Sequence, residues 1–185
     1  MKKLILALLI CLPLVTFAQS EPPRDEQGKI VYQEVVNVDA DQAELYKRAL
    51  RAIPRDGKEV LKVDATEVSW QDKKDMIIDG MGQKIPVRLH YTATLQGKDG
   101  RYKYSISNLL LETKQGRGAT KTPVEDGSVY KPLPKNLYYK SGALKPQGQT
   151  ILAIQESYQR EIDKAIVSSI ESIKRTMALP IGENW

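Results

Sequence analysis

Two neighbouring segments of the chain alternate between apolar and polar residues, as half-buried strands do. In residues 85–96 the apolar series is Ile85, Val87, Leu89, Tyr91, Ala93 and Leu95. In residues 101–112 the corresponding series is Tyr102, Tyr104, Ile106 and Leu110. A period of two places every member of a series on one face of its strand. The pattern therefore predicts a long antiparallel hairpin with one apolar and one polar face.

The residues between the two segments predict how the strands align. The segment 97–100, Gly-Lys-Asp-Gly, is expected to form a four-residue turn. The expected pairs across such a turn are Leu95 with Tyr102, Ala93 with Tyr104 and Tyr91 with Ile106. Because apolar residues then meet apolar residues, the sheet needs a cover on one side only.

A strand and a helix are predicted before the hairpin. Residues 30–38 are rich in β-branched residues and predict a strand. Asp39 or Asp41 is expected to cap the helix that follows, because each has Gln or Glu three places on. Pro54 and Gly57 are expected to end this helix. Its apolar stripe comprises Leu45, Tyr46, Ala49, Leu50 and Ile53.

The region between residues 59 and 83 carries shorter signals. Val68 and Trp70 alternate with polar neighbours, and a brief apolar run starts at Met76. The polar stretch 72–75, Asp-Lys-Lys-Asp, predicts a turn between them. We therefore expect two short strands here.

The C-terminal region has the clearest helical pattern. Apolar residues recur at three- and four-residue spacings at Ile151, Ile154, Tyr158, Ile162, Ile166, Ile170, Ile173 and Met177. A helix of about 28 residues would extend roughly 40 Å, enough to cross a whole sheet. The complete pattern predicts an α+β fold in which two helices pack on one face of an antiparallel sheet of about five strands. The expected order is β-α-β-β-β-β-α.

The N-terminal residues predict where the protein works. Lys2 and Lys3 precede an apolar run from Leu4 to Val15, which is typical of a secretory signal peptide cleaved after about Ala18. The run is short for a transmembrane anchor, so we expect a periplasmic or secreted protein. The single cysteine, Cys11, lies within this run, which leaves no disulfide or thiol chemistry in the mature chain.

The remaining residues predict one domain of ordinary size. Removing 18 of the 185 residues leaves 167, enough to bury a core. We expect a flexible leader at 19–28, a single α+β domain at 29–178 and a C-terminal tail at 179–185. Without the two signal lysines, the net charge falls from +5 to about +3. This modest charge, with no basic stripe along a helix, disfavours nucleic-acid binding.

The segment 113–148 is predicted to be a long basic loop. Its basic residues are Lys114, Arg117, Lys121, Lys131, Lys135, Lys140 and Lys145, opposed only by Glu125 and Asp126. Tyrosines among lysines are suited to sugars, phosphates or an acidic protein surface. The candidate ligand-binding residues of the loop are Tyr130, Lys131, Lys135, Tyr138, Tyr139 and Lys140. A solvated loop pinned to the domain by its tyrosines is the alternative.

The polar face of the predicted hairpin supplies the other candidate ligand-binding residues, Arg88, His90, Thr92 and Lys103. His90 is the only histidine and is expected opposite Ser107. A general base needs a nucleophile and an orienting carboxylate, and neither strand is expected to place an acid beside it. We therefore interpret His90 as an exposed strand residue. No catalytic residue, cofactor or metal site is predicted.

Four short motifs resemble a known bacterial family. They are Gly28-Lys29-Ile30-Val31-Tyr32, Val35-Val36, Glu44-Leu45-Tyr46-Lys47-Arg48-Ala49 and Asp99-Gly100-Arg101-Tyr102-Lys103-Tyr104. Over residues 28–112 the chain resembles an exported domain of unknown function from Gram-negative bacteria, with a fold like that of the TATA-binding protein. The resemblance implies a curved antiparallel sheet with two helices on one side, and no activity.

Three functional hypotheses follow. The first is an exported, non-catalytic binding or interaction module for an anionic or carbohydrate ligand of the envelope. The second is an envelope-directed hydrolase or transferase with a dispersed active site, which predicts an acid–base pair near His90 or the loop. The third is a homodimer formed through the open sheet face, to which Leu109 and Leu111 are expected to contribute.

Overall fold

The computed structural model of the chain describes residues 22–53, 59–80, 82–115, 118–124 and 129–182. At residues 114 and 115 it describes the backbone alone. The described residues form one antiparallel sheet and two helices, which confirms the predicted α+β fold. The strands are β1 (Tyr32–Asn37), β2 (Val60–Val63), β3 (Glu67–Gly80), β4 (Gln83–Lys98), β5 (Arg101–Gln115) and β6 (Gly118–Pro123). The helices are α1 (Gln42–Ala52) and α2 (Pro146–Ala178). The predicted signal peptide and the helix-ending Pro54 and Gly57 lie outside the described residues.

The strands follow the order β1-β5-β4-β3-β2, and β6 also pairs with β5. Strand β1 pairs with the first half of β5, residues 101–106, whereas β6 pairs with its second half, residues 110–115. Both therefore lie on the side of β5 away from β4. The sheet has six strands where about five were predicted. Strands β2 and β6 were not expected, whereas the two short strands predicted between residues 59 and 83 form the single strand β3.

The hairpin of β4 and β5 forms with a shorter turn than predicted. Leu95 pairs with Tyr104 and Ala93 with Ile106, so the predicted register is wrong by two residues. The turn consists of Asp99 and Gly100 alone, and Gly100 takes a positive φ of 75°. A shift of two residues does not by itself move a side chain to the other face, so the alternating pattern cannot distinguish the two registers.

Strand β3 is continuous through residues 72–75, so the predicted turn there is wrong. The strand pairs with β4 along its whole length from Glu67 to Gly80. Asp72 is accommodated on the apolar side because it accepts a hydrogen bond of 2.6 Å from the hydroxyl of Tyr91. That hydroxyl also lies 2.8 Å from Oγ of Ser169 on α2, so a polar network replaces apolar contact at this point.

A β-bulge at Asn108 reverses the side-chain alternation of β5. Asn108 has a φ of 52°, and the pairing with β4 shifts between His90 and Thr92. Tyr102, Tyr104 and Ile106 are buried before the bulge, whereas Leu109 and Leu111 are buried after it. The prediction that Leu109 and Leu111 lie on the open face is therefore wrong, and the dimer hypothesis loses their support.

The two helices cover the apolar face of the sheet. Of the two predicted cap residues, Asp41 caps α1 by accepting a hydrogen bond from the backbone N–H of Glu44 at 2.7 Å. Helix α2 has 33 residues, slightly more than predicted. The core between the layers includes the fully buried side chains of Leu45, Trp70, Leu89, Leu95, Ile106, Ile162, Ile166 and Met177.

A buried arginine joins the ends of the two helices. Arg48 of α1 is 3% exposed, and its Nη1 donates a hydrogen bond of 2.7 Å to the backbone carbonyl of Met177, near the end of α2. The carboxylate of Glu44 accepts hydrogen bonds from Nε and Nη2 of the same guanidinium at 3.0 and 2.5 Å. The charge is therefore paired, and a carbonyl at the helix end has a donor.

The segment predicted as a long basic loop is more structured than expected. Its first residues complete β5 and form β6, and α2 begins at Pro146. Between them, Lys135–Leu137 forms a single 3₁₀ turn.

Among the described residues, no helix is both long and apolar enough to cross a membrane.

The bulge predicts a specific sensitivity at position 108. Asn108→Val should lower the free energy of unfolding by about 1–2 kcal/mol, because a β-branched side chain is strained at positive φ. The urea midpoint of Asn108→Gly should be close to that of wild type, because glycine adopts positive φ without strain. This variant also loses the 3.4 Å contact of Asn108 with Thr92. Thr94→Val, at a regular strand position, is the matched control. Urea denaturation measures the effect, and a wild-type midpoint for Asn108→Val would contradict it.

Candidate functional site

The polar face of the sheet is defined by the side chains that point away from the helices. Its central members are Ser69, Gln71 and Lys73 of β3, His90, Thr92 and Thr94 of β4, and Lys103, Ser105 and Ser107 of β5. Thr92 is paired with Gln71 on one side and Ser107 on the other, and Thr94 with Ser69 and Ser105. The strands thus present a row of hydroxyl and amide groups, with charged residues at both ends of the row.

The structure divides the ten candidate ligand-binding residues between two surfaces. Arg88, His90, Thr92 and Lys103 all lie on the polar face, as their alternation predicts. The other six lie in residues 129–145, beside the N-terminal half of α2, and α2 packs on the opposite face of the sheet. The two predicted groups therefore do not converge on one site.

One end of the polar face carries two pairs of basic and acidic side chains. Nε2 of His90 lies 2.6 Å from Oε2 of Glu112, with the two side chains 18% and 14% exposed. Nε of Arg88 donates a hydrogen bond of 2.6 Å to Oδ1 of Asp75. We call these four residues the acid–base end. Each basic side chain there is paired with one carboxylate.

The bulge explains why the acid near His90 was missed. The uninterrupted alternation of β5 places Glu112 on the apolar face with Tyr102 and Tyr104. The bulge at Asn108 instead turns Glu112 to the polar face, opposite Arg88. The prediction that no acid lies near His90 is therefore wrong. The predicted pairing of His90 with Ser107 is also wrong, because His90 pairs with Leu110. Asn is one of the residues most tolerant of positive φ, and this was the only sequence signal for the bulge.

The electrostatics of the acid–base end stabilise the charged form of Glu112. The hydrogen bond with His90 is the largest cause that holds the pKa of Glu112 below its usual value, with a further contribution from the charge of Arg88. Within the described residues, no hydroxyl group hydrogen-bonds to His90. A depression of about 720 Å³ borders Asp75, Arg88 and Glu112, but His90 does not line it.

The opposite end of the polar face is basic. Lys98 at the end of β4 pairs with Arg101 of β5, and Lys103 lies two residues further along β5 on the same face. None of the three forms an ion pair with another described residue. Together with Val35 and Gln96 they line a cavity of about 330 Å³. We call Lys98, Arg101 and Lys103 the basic end, and only Lys103 was a candidate from the sequence.

The segment 129–145 is anchored to α2. Gln159 donates a hydrogen bond of 2.7 Å to the carbonyl of Val129, and Gln155 donates one of 3.3 Å to the carbonyl of Lys131. Leu137 is buried against Gly148, where a Cβ atom would lie 2.9 Å from the carbonyl oxygen of Leu137. These contacts account for the ordered backbone of the segment.

The candidate side chains of this segment have different surroundings. Tyr130 packs against the hydrophobic core, and burial raises the pKa of its hydroxyl. Tyr138 and Tyr139 are 38% and 52% exposed. The candidate lysines Lys131, Lys135 and Lys140 are also exposed. The segment therefore offers an exposed basic surface, remote from the polar face.

Comparisons with known proteins agree on the fold. The crystal structure of a DUF4468 family protein from Bacteroides ovatus matches with a TM-score of 0.61 at 12% identity, covering 86% of this chain and 91% of that chain. A TBP-like protein from Parabacteroides distasonis matches with a TM-score of 0.52 at 10% identity, covering 82% and 96%. These likenesses show the fold alone and confirm the fold that the resemblance implied. No protein-family model matches the chain, and no curated protein matches it significantly.

Among the described residues, no group of three or more His, Cys, Asp and Glu side chains is arranged to hold a metal ion. The described titratable groups at the acid–base end form two pairs, as given above. The chemistry available there is hydrogen bonding and proton transfer.

The His90–Glu112 pair predicts a change in acid sensitivity. Because the folded-state pKa of Glu112 is lowered, its ionised form stabilises the fold above about pH 4.5, and this contribution is lost as the pH falls through the folded pKa. Glu112→Gln should therefore be less stable than wild type near neutral pH, with the difference shrinking towards pH 3. Urea midpoints from pH 7 to 3 measure this, with Glu171→Gln on the exposed side of α2 as control. A difference that stays constant with pH would contradict the assignment.

Proposed function

We propose that the mature protein is an exported, non-catalytic binding module that holds an anionic or carbohydrate ligand of the cell envelope on its polar face. The observation that carries the proposal is the composition of that face. Neighbouring strands align the hydroxyl groups of Thr92, Thr94, Ser105 and Ser107 in a row that ends at the basic end. Sugars are recognised through such hydroxyl and amide groups, and anions through adjacent cations.

Two features favour the polar face over the segment 129–145 as the binding surface. Both helices and this segment pack on the opposite side of the sheet, so no described element covers the polar face. The strands also hold its side chains at fixed spacings, and a site built on regular strands is more precise than one built on a loop. The exposed lysines of the segment are then a solvated surface.

Export is part of the proposal and is supported by the sequence. Lys2, Lys3, the apolar run 4–15 and Ala18 have the order of a signal peptide. Expression of the full chain in a Gram-negative host should give a periplasmic protein consisting of residues 19–185. Intact mass spectrometry of the periplasmic fraction measures this. A protein of 185 residues retained in the cytoplasm would contradict it.

The His90–Glu112 pair favours the envelope-directed hydrolase as a second candidate. A carboxylate can orient a histidine for general-base catalysis. The pair meets the expectation of an acid–base pair near His90. However, no hydroxyl in the described part of the chain hydrogen-bonds to His90, and His90 does not line the neighbouring depression. Binding therefore accounts for more of the geometry than catalysis does.

The binding proposal predicts the effect of altering the centre of the polar face. The double variant Thr92→Glu and Thr94→Glu should bind lipopolysaccharide or peptidoglycan at least about tenfold more weakly than wild type, because it adds bulk and two negative charges. The matched control is Ser168→Glu with Ser172→Glu, which adds the same charges to the exposed side of α2. Binding of residues 19–185 to each immobilised probe is measured by surface plasmon resonance.

The same experiment separates the alternatives. Equal weakening in both double variants, or no binding of the wild type to either probe, would contradict the proposal. Mass spectrometry of each probe after incubation tests the second candidate. Fragments released by wild type and not by His90→Gln would establish a hydrolase, whereas an unchanged probe supports a binding module.

A further inference from the structure

The basic end brings three cations together on a small area of the polar face. Lys98 and Arg101 pair directly across the β4–β5 ladder, so their Cα atoms lie about 5 Å apart. Lys103 lies two residues beyond Arg101, about 7 Å along the strand. Regular strand geometry therefore places three basic residues next to one another on the polar face, close enough for their side chains to reach one ligand group.

The acidic groups near the basic end are already engaged elsewhere. Glu67 accepts a hydrogen bond of 2.7 Å from Gln96 and lies 3.2 Å from Nζ of Lys62. Asp99 accepts a hydrogen bond of 2.8 Å from the backbone N–H of Gln42 at the start of α1. Neither carboxylate forms an ion pair with the basic end, so no described residue neutralises its three cations by direct contact. A bound anion would supply that partner.

One of the cavities beside these cations is bordered by all three of them. Its volume is about 330 Å³, and its lining includes the amide of Gln96 and the side chain of Val35, which is 54% exposed. Val35 pairs with Lys103 across the β1–β5 ladder and therefore borders the cations directly. The site suits a compact, highly charged group attached to a less polar moiety that rests on Val35.

We propose that the basic end binds a phosphomonoester dianion, an inference that rests on the proposed function and names the charged group of its ligand. Three cations match two negative charges better than the single charge of a carboxylate. The guanidinium of Arg101 can also hold two oxygens of a phosphate at once, while the ammonium groups of Lys98 and Lys103 act as point charges.

The experiment compares probes that differ in their charged group. Isotope-labelled residues 19–185 are titrated with mannose 6-phosphate, with glucuronate as the sugar carboxylate and with inorganic phosphate, while backbone amide signals are followed by NMR. Sedimentation with phosphatidate vesicles tests the lipid source of the same group, and phosphatidylserine vesicles provide the comparison. We expect mannose 6-phosphate to bind about tenfold more tightly than glucuronate, or phosphatidate vesicles about tenfold more tightly than phosphatidylserine vesicles. The affinity for the phosphomonoester should fall as the salt concentration rises.

Two triple variants remove the same number of positive charges from two different basic surfaces. Replacing Lys98, Arg101 and Lys103 by alanine should abolish preferential binding of the phosphomonoester. Replacing Lys131, Lys135 and Lys140 by alanine removes three charges from the segment 129–145 and should leave binding within about twofold of wild type. Arg101→Lys should retain only part of the affinity, because it keeps the positive charge and loses the planar guanidinium group that can donate two parallel hydrogen bonds. Urea denaturation confirms that each variant folds.

The outcomes distinguish a glycan ligand from a lipid ligand, and failure of this inference from failure of the proposed function. Binding of mannose 6-phosphate supports a phosphorylated glycan, and binding of phosphatidate vesicles alone supports a lipid headgroup. Equal affinity for phosphate and carboxylate probes, or loss of binding only in the variant of segment 129–145, would overturn the inference. If the Thr92 and Thr94 variant weakens binding to lipopolysaccharide or peptidoglycan while the basic-end variant does not, the inference fails and the proposed function stands. If neither variant changes that binding, the proposed function itself fails.

Discussion

The bulge at Asn108 is the local constraint on which both surfaces of the sheet depend. One residue with a φ of 52° reverses the alternation of β5, so Leu109 and Leu111 enter the core while Glu112 turns to the polar face. Without this reversal, the carboxylate of Glu112 would face the apolar layer, and Leu109 and Leu111 would leave the core in exchange for Leu110, which pairs with His90 on the polar face. The bulge therefore buries one more leucine and avoids a buried carboxylate. The bulge also lies between the halves of β5 that pair with β1 and β6. A single backbone conformation thus coordinates the core, the sheet edge and the acid–base end.

The helical layer determines which sheet face remains available for binding. Arg48 links α1 to the carbonyl of Met177 near the end of α2, and Gln155 and Gln159 attach segment 129–145 to the other half of α2. These polar contacts supplement the apolar core and keep both helices and the segment on one side. The polar face is the side they leave uncovered. Its basic side chains are paired with carboxylates at the acid–base end, whereas those at the basic end form no ion pair with any described residue. That asymmetry of charge is the basis for placing an anionic ligand at the basic end.

The sequence predicted part of the candidate site, and its failures have physical causes. Thr92 and Lys103 were placed on the correct face, because strand alternation requires only local information. Glu112 was misplaced because a bulge leaves little trace in a hydrophobic pattern. Arg101 and Lys98 were not recognised as a pair across the hairpin because the four-residue and two-residue turns give the same alternation. The Asp-Gly sequence at residues 99–100 is a common signal for a two-residue turn and could have distinguished them.

The amino-acid sequence by itself determined the fold class, the position of most elements and the presence of an aspartate cap on α1, at Asp39 or Asp41. These follow from periodicity and local hydrogen bonding, which act over a few neighbouring residues. Only the tertiary structure decided the continuity of β3 through Asp72, the pairing of His90 with Glu112 and the attachment of segment 129–145 to α2. Each of these depends on contacts between residues distant in the chain. The cost of a buried carboxylate or a left-handed backbone is set by its three-dimensional partners.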